Sequence, residues 1–305
     1  MTVDGGRRLT ELGLAAAVCV ARERGLPADD PRVLSSRGNL QVHLAPAPVV
    51  ARVATLTAWT RRDPFVWLAR EVAVAGYAAR RGAPIVPPTD LVDPGPVWSE
   101  GFTVSLWSYL STSGRRVGSA ESGEALGRLH AALVGYPAAL PTLAPVHEQV
   151  DDGLAALERA AAVDAEQLVA LRAVHEKVVT ELDGLGGASI VLHGDSHPGN
   201  LLHAKDTGGW RWIDLEETCR GPREWDLAVL TGARGIDAAT VLRAYTEVTG
   251  ITPTGDLTPF HRARDLEGAV WALGMAHQYP ARYRQVAGEL LDRVRSRLPR
   301  PDSDG

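Results

Sequence analysis

Apolar and polar positions divide the chain into two textures. Residues 33–56 hold short β-prone pieces, 40–44 and 49–53, around the turn Ala45-Pro46-Ala47-Pro48, and this pattern predicts a hairpin. Over 65–80 the side chains of Trp67, Leu68, Val72, Ala75 and Ala79 form an apolar stripe at helical spacing, ended by Arg81-Gly82. Two further strands, 97–100 and 102–109, meet around Gly101 behind a proline-rich loop. Up to about Trp107 the chain therefore reads as a small sheet with one main helix laid on it. After Ser111-Thr112-Ser113-Gly114 the texture turns helical, with helices predicted over 120–133, 147–162, 164–185 and from about 223 to 298, broken near Gly250 and Pro280. Residues 189–214 interrupt it with two or three short strands and a dense set of polar residues. The expected organisation is α+β: an N-terminal lobe over 1–107, a larger, mostly helical lobe over 108–298 and a disordered tail over 299–305.

Composition narrows the function classes. At 305 residues the chain is long enough for two cores, which argues against a lone small binding module. Apolar content of 45% and charged content of 23% match a folded globular protein rather than a disordered one. A net charge of -5 gives no electrostatic reason to bind a phosphate polymer, so no nucleic-acid partner is expected. Cys19 and Cys219 match no metal-ligand spacing and are too few for a disulfide framework, which points to a reducing, cytoplasmic setting. Arg7-Arg8 ahead of the apolar run 12–21 has the outline of a secretory signal, but Glu11 interrupts the entry and Arg22-Glu23-Arg24 stands where small cleavage-site residues belong. An amphipathic first helix is expected instead, with Leu12, Ala15, Ala16 and Cys19 on one face and Thr10 as cap. No uncharged stretch is long enough to cross a bilayer as a helix.

The chemistry concentrates in Val191-Leu192-His193-Gly194-Asp195-Ser196-His197-Pro198-Gly199-Asn200-Leu201-Leu202, where an apolar strand delivers a loop rich in polar residues. A second strand, Trp210-Arg211-Trp212-Ile213, ends in Asp214-Leu215-Glu216. Phosphoryl transfer from a nucleotide needs a carboxylate beside the attacking hydroxyl and oxygen ligands for magnesium bridging the phosphates. Asp195, Asn200 and Asp214 can supply all of these. The interval from Asp195 to Asn200 equals that of the H-R-D-x-x-x-x-N kinase loop, and Asp214 stands where the metal-binding aspartate follows.

With these motifs the chain resembles the aminoglycoside phosphotransferase and choline kinase-like family, whose signature runs H-G-D-x-H-x-x-N, then I-D-x-E, then G-P-x-x-x-D-L-A. The last is present as Gly221-Pro222-Arg223-Glu224-Trp225-Asp226-Leu227-Ala228, and the resemblance spans about residues 30–295. It implies a two-lobed, protein kinase-like fold, Asp195 as catalytic aspartate, Asn200 and Asp214 as magnesium ligands, and Asp226 as a brace of the catalytic loop. Singly, Asp226 would read as a helix cap, and His193 and His197 as hydrogen-bonded core histidines; the two histidines keep that scaffold reading within the family.

The N-terminal lobe departs from the kinase pattern. Ser35-Ser36-Arg37-Gly38-Asn39 can fold over phosphates through backbone N–H groups, with Ser36, Gly38 and Asn39 as candidates, or serve as an ordinary hairpin turn. Glu71 sits on the helix where kinases place the glutamate that holds a strand lysine, yet the strand position is Arg52; the lysines, Lys177 and Lys205, lie in the other lobe. Arginine grips phosphate bidentately, so Arg52 paired with Glu71 keeps the role with altered geometry, or else the site is a degenerate kinase's. Ser108 and Tyr109 fall at the family's hinge, which hydrogen-bonds the nucleotide base, or at a plain strand end.

The expectation is an ATP- or GTP-dependent, magnesium-requiring transfer to a small-molecule hydroxyl, with no protein partner implied. Glu216, as a support or a substrate contact, and Glu217, Asp265 and Glu267 could form an acidic wall suited to a cationic antibiotic, or be solvated helix acids. Two rivals are a nucleotide-binding pseudokinase acting through partners and a metal-dependent phosphoester hydrolase built on His193-x-Asp195-x-His197.

Overall fold

The computed structural model describes residues 3–36, 38–186, 188–253 and 255–297. The expected tail over 299–305 and Arg37 of the phosphate-loop candidate lie outside them.

Strands β1 (Asp30–Ser35), β2 (Leu40–Ala45), β3 (Val49–Val53), β4 (Val97–Ser99) and β5 (Phe102–Ser108) form an antiparallel sheet in the order β1-β2-β3-β5-β4. Period-2 alternation sends Val49, Ala51 and Val53 to one face, where they join Leu40, Val42 and Leu44 in a core closed by helix α1 (Val3–Glu23). Arg52 takes the other face, in register with Gln41 on β2 and Ser105 on β5.

The first helix forms as expected but turns a different face inward. Gly13, Ala16, Ala17, Val20 and Ala21 are buried, whereas Leu12 is 49% exposed. Close approach decides this: a Cβ on Gly13 would stand 2.8 Å from a methyl of Leu40, so the helix lies on the sheet through its smallest residues. Thr10 is inside the helix, its hydroxyl donating to the Gly6 carbonyl at 3.1 Å, and caps nothing.

Helix α2 (Pro64–Arg80) begins at Asp63, whose carboxylate accepts from the N–H groups of Phe65 and Val66 at 3.1 and 3.4 Å. Its inner face buries Trp67, Leu68, Val74, Ala75 and Ala78, and with them Glu71. The larger part of the chain contains α3 (Ser119–Leu133), α4 (Val150–Arg159), α5 (Ala165–Gly184), α6 (Glu224–Thr231), α7 (Ala238–Thr249), α8 (Thr258–Gln278) and α9 (Pro280–Arg297). The helix expected over 147–162 instead opens as a wider π turn, Pro145–Gln149, and the predicted long run after 223 breaks additionally between α6 and α7.

Two short ribbons position the chemistry. Strand β6 (Ser189–Leu192) pairs antiparallel with an unanticipated β9 (Cys219–Pro222), and β7 (Leu201–His203) pairs with β8 (Trp210–Trp212). Among the described residues, no helix is long and apolar enough to cross a membrane.

Candidate active site

The loop between β6 and β7 is held by its own backbone. Asp226, fully buried at the start of α6, accepts from the N–H of His193 at 2.7 Å and of Gly194 at 3.0 Å, and from His130 Nε2 at 2.8 Å. The Ser196 hydroxyl donates to the Asp226 carbonyl at 2.7 Å, and Trp225 Nε1 donates to the Gly194 carbonyl at 2.7 Å. Gly194 adopts φ +91°, and a Cβ there would lie 2.1 Å from the Glu217 carbonyl oxygen, so this turn admits glycine alone. His193 faces the Ile213 carbonyl through Nε2 at 3.1 Å, while Nδ1 accepts from the Asp195 N–H at 3.3 Å. Burial lowers its pKa, so the ring is a neutral strut. With both nitrogens engaged, His193 has no free site for a metal, which removes the basis of the hydrolase reading.

Loop and ribbon bring Asp195, Asn200 and Asp214 to one cleft. Asn200 Nδ2 donates to the Asp195 carbonyl at 2.9 Å and to Asp195 Oδ2 at 3.1 Å, which turns the amide oxygen the other way. Burial alone would raise Asp195, but Arg264 and then His197 hold it at about 2. Asp214 sits at φ +67°, a conformation costing a non-glycine residue about 1–3 kcal/mol. Burial raises its pKa, opposed by Arg52.

Arg52 joins the lobes. Its Nη1 donates to Glu71 Oε1 at 2.6 Å, its Nη2 meets Asp214 Oδ1, and Nη2 also lies 2.8 Å from Glu216 Oε2. The strand–helix pair expected of Arg52 and Glu71 is therefore formed. Burial raises Glu71 to about 8 against the pull of Arg52, and its Oε2 has no hydrogen bond. Arg61, which the sequence reading passed over, completes the network through Glu216 at 2.6 Å, Glu217 at 3.0 Å and Gln149 at 2.7 Å, its guanidinium 4.3 Å above the Trp67 ring.

Beside Arg52 opens a cavity of about 300 Å³ whose lining includes Glu71, Asp214, Val50, Trp107, Ser108 and Tyr109. The hinge candidates Ser108 and Tyr109 thus border the same space as Arg52. Ser36, Gly38 and Asn39 do not line it. Asn39 instead donates to Glu216 Oε2 at 2.7 Å, the Gly38 carbonyl accepts from the Thr55 hydroxyl at 3.0 Å, and Ser36 borders a different cavity with Arg7, Tyr279 and Arg282.

The acidic wall is also revised. Arg52, Arg61 and Asn39 occupy Glu216, and Asp265 turns to α9, where Arg293 lies 3.8 Å away. Glu217 and Glu267 do face Asp195, but Arg264 stands among all three: 2.5 Å from Asp195 Oδ1, 2.6 Å from Glu267 Oε2 and 3.7 Å from Glu217 Oε2. The wall is cross-braced by a cation rather than open. Arg61 carries no local sequence signal, because its partners lie far away along the chain, and the i,i+3 spacing of Arg264 and Glu267 gives no hint that Arg264 also reaches Asp195, 69 residues away.

Residues 31–264 match the model of the phosphotransferase enzyme family, APH, and the chain belongs to that family. Among solved structures it is similar to choline kinase LicA from Streptococcus pneumoniae, with a TM-score of 0.67 at 12% identity over 92% of this chain and 98% of that one. It is also similar to amicoumacin kinase hAmiN in complex with AMP-PNP, Ca2+ and Ami (TM-score 0.64, 12% identity, 88% and 89% covered). A choline/ethanolamine kinase family protein from Mesorhizobium loti gives a TM-score of 0.61 at 18% identity, with 96% of each chain covered. These likenesses establish the two-lobed kinase-like fold. No curated protein matches the sequence significantly.

Proposed function

We propose that this phosphotransferase moves the terminal phosphoryl group of ATP or GTP to a hydroxyl of a small molecule, with magnesium, residues 1–107 forming the nucleotide lobe and 108–298 the catalytic lobe. The observation that carries the reading is the convergence of Asp195, Asn200 and Asp214 on the cleft that Arg52 enters from the sheet and Glu71 from helix α2. Asp195 is the group that orients the acceptor hydroxyl and takes its proton as the bond to phosphorus forms.

Asn200 and Asp214 fit a magnesium site in donor chemistry. One offers an amide oxygen, turned out by the bonds of its nitrogen, and the other a carboxylate at the cavity wall. Among the described residues no group of three or more His, Cys, Asp and Glu is arranged to hold a metal, which suits an ion held by one or two side chains together with nucleotide phosphates. Bound there, magnesium supplies charge neutralisation at the phosphates. Arg52, positioned by Glu71, is the permanent cation for those phosphates, its planar fork replacing the point charge of a lysine. Ser108 and Tyr109 border the space for the base, and the amicoumacin kinase complex with AMP-PNP and Ca2+ supports nucleotide with a divalent ion in this fold.

The acceptor lies on the Arg264 side of Asp195. Incubating the purified protein with ATP or GTP, magnesium and a panel of aminoglycosides, basic peptide antibiotics, macrolides, choline and sugars tests the reading. Acceptor-dependent release of nucleoside diphosphate is expected with at least one compound. Nucleotide binding without turnover on any acceptor would favour the pseudokinase alternative.

A further inference from the structure

Both carboxylate oxygens of Asp195 are engaged by the protein itself. Arg264 Nη2 covers Oδ1 at 2.5 Å, and Asn200 Nδ2 takes Oδ2 at 3.1 Å with His197 Nε2 at 3.5 Å. A hydroxyl that Asp195 is to orient must come within roughly 2.6–3.2 Å of one of these oxygens. The Asn200 bond belongs to the closed catalytic loop, whereas Arg264 reaches in from α8 with a side chain 27% exposed.

Arg264 also has somewhere else to go. Its Nη1 is anchored 2.6 Å from Glu267 Oε2, three residues further along the same helix, and that anchor survives if Nη2 leaves Asp195. On the adjacent side stands Glu217, 6% exposed, whose Oε2 has no hydrogen-bond partner and lies 3.7 Å from Arg264 Nη1. A buried, unfilled carboxylate oxygen next to a cation is an unsettled arrangement, because an unsatisfied buried acceptor is costly. Pivoting the guanidinium on Glu267 fills it while keeping the cation inside the same acidic cluster, and needs only side-chain rotation.

Resting on the assignment of Asp195 as the acceptor-orienting residue, we propose that Arg264 is a two-position guard, covering Asp195 Oδ1 while no acceptor is bound and retracting onto Glu217 when the acceptor hydroxyl arrives. The reaction it suppresses is hydrolysis. An uncovered Asp195 would orient water as readily as an alcohol. The water oxygen would bond to the terminal phosphorus, the bond from that phosphorus to the bridging oxygen would break, and the water proton would pass through Asp195 to solvent. The products would be nucleoside diphosphate and inorganic phosphate.

The test uses acceptor-free protein, magnesium and ATP or GTP, and measures inorganic phosphate release alongside nucleotide affinity and thermal melting. Arg264→Ala and Arg264→Gln should raise acceptor-free hydrolysis by about tenfold or more, a part of the 10²–10⁴ that a positioned acid–base group supplies. Adding Asp195→Asn to either variant should abolish the gain, which a merely structural role for Arg264 does not predict. If the neutral variants fail to fold, Arg264→Lys carries the test, since one ammonium cannot hold Glu267 and cover Asp195 as the fork does, and hydrolysis above the parent is expected. Folded variants that bind nucleotide yet hydrolyse it no faster than the parent overturn the guard while leaving the phosphotransferase reading standing. Failure of parent and variants alike to bind nucleotide overturns that reading, and the guard with it.

Discussion

Replacing Asp226 by asparagine removes one charge and one acceptor from a site where both are used. The native carboxylate takes His193 N–H and His130 Nε2 on Oδ2, and Gly194 N–H on Oδ1, with no solvent exposure. An asparagine that keeps its carbonyl toward the first pair must turn its NH2 group against the Gly194 N–H, donor facing donor. Leaving that buried N–H unsatisfied costs about 1–3 kcal/mol, and loss of the charge weakens each remaining bond by about 1 kcal/mol. The sum is about 3–5 kcal/mol, equivalent to a fall in Tm of about 5–8 °C for a chain of this size. Gly194 precedes Asp195, so loosening it misplaces the group proposed to orient the acceptor, and a shift of about 1 Å can cost ~10²-fold in rate. Nucleotide affinity should be unchanged, because Arg52 and Asp214 are held by other contacts. Calorimetry, transfer kinetics and nucleotide titration on the same preparation check the three parts. An Asp226→Asn protein that melts within about 2 °C of the parent and transfers at full rate refutes the bracing argument and its energetics.

Three further outcomes follow from the same geometry. Gly194→Ala should yield little folded protein, since a Cβ would stand 2.1 Å from the Glu217 carbonyl oxygen at φ +91°, and normal expression with an unchanged melting curve would contradict this. Arg52→Ala should weaken nucleotide binding and lower Tm together, because it strands Glu71 and Asp214 without their cation, while Arg52→Lys should keep a measurable part of both; calorimetric titration and melting separate the two effects. Asp195, held at about 2 when folded against an unfolded value of roughly 3.9, contributes about 2–3 kcal/mol of stability above pH 4 that is lost as pH falls through 2. The destabilisation caused by Asp195→Asn should therefore shrink as urea denaturation is repeated from pH 6 toward pH 2, and a penalty that grows toward acid would contradict the ion pair with Arg264.

How much of this was legible in the sequence depended on how locally each feature is encoded. The hairpin at 40–53 and helix α2 announced themselves through period and punctuation, and Asp195, Asn200 and Asp214 through a spacing set by one loop and one ribbon. The first helix was recognised but its face was misread, because Gly13 has no side chain to count and packs by its absence. The phosphate-loop reading of Ser36, Gly38 and Asn39 rested on a single glycine, and the bond from Asn39 to Glu216 has no counterpart in the local pattern. Glu217 and Glu267 were singled out as an acidic wall without the cations that tie them together. Arg61 and Glu217 are 156 residues apart and Arg264 and Asp195 are 69 apart, so no local pattern couples them. Buried ion networks of this kind become visible only when distant segments of the chain are folded together.

The most direct test of the central claim is the phosphomonoester formed by the parent and by Asp195→Asn when each is incubated with magnesium, ATP or GTP and the acceptor panel, read by phosphorus NMR. The parent should convert a hydroxyl of at least one acceptor to its phosphomonoester, and folded Asp195→Asn should do so ~10²–10⁴-fold more slowly with nucleotide affinity preserved. Transfer by Asp195→Asn within about tenfold of the parent would contradict the account, because the carboxylate at the end of the Asp226-braced loop would then not be the group that orients the acceptor.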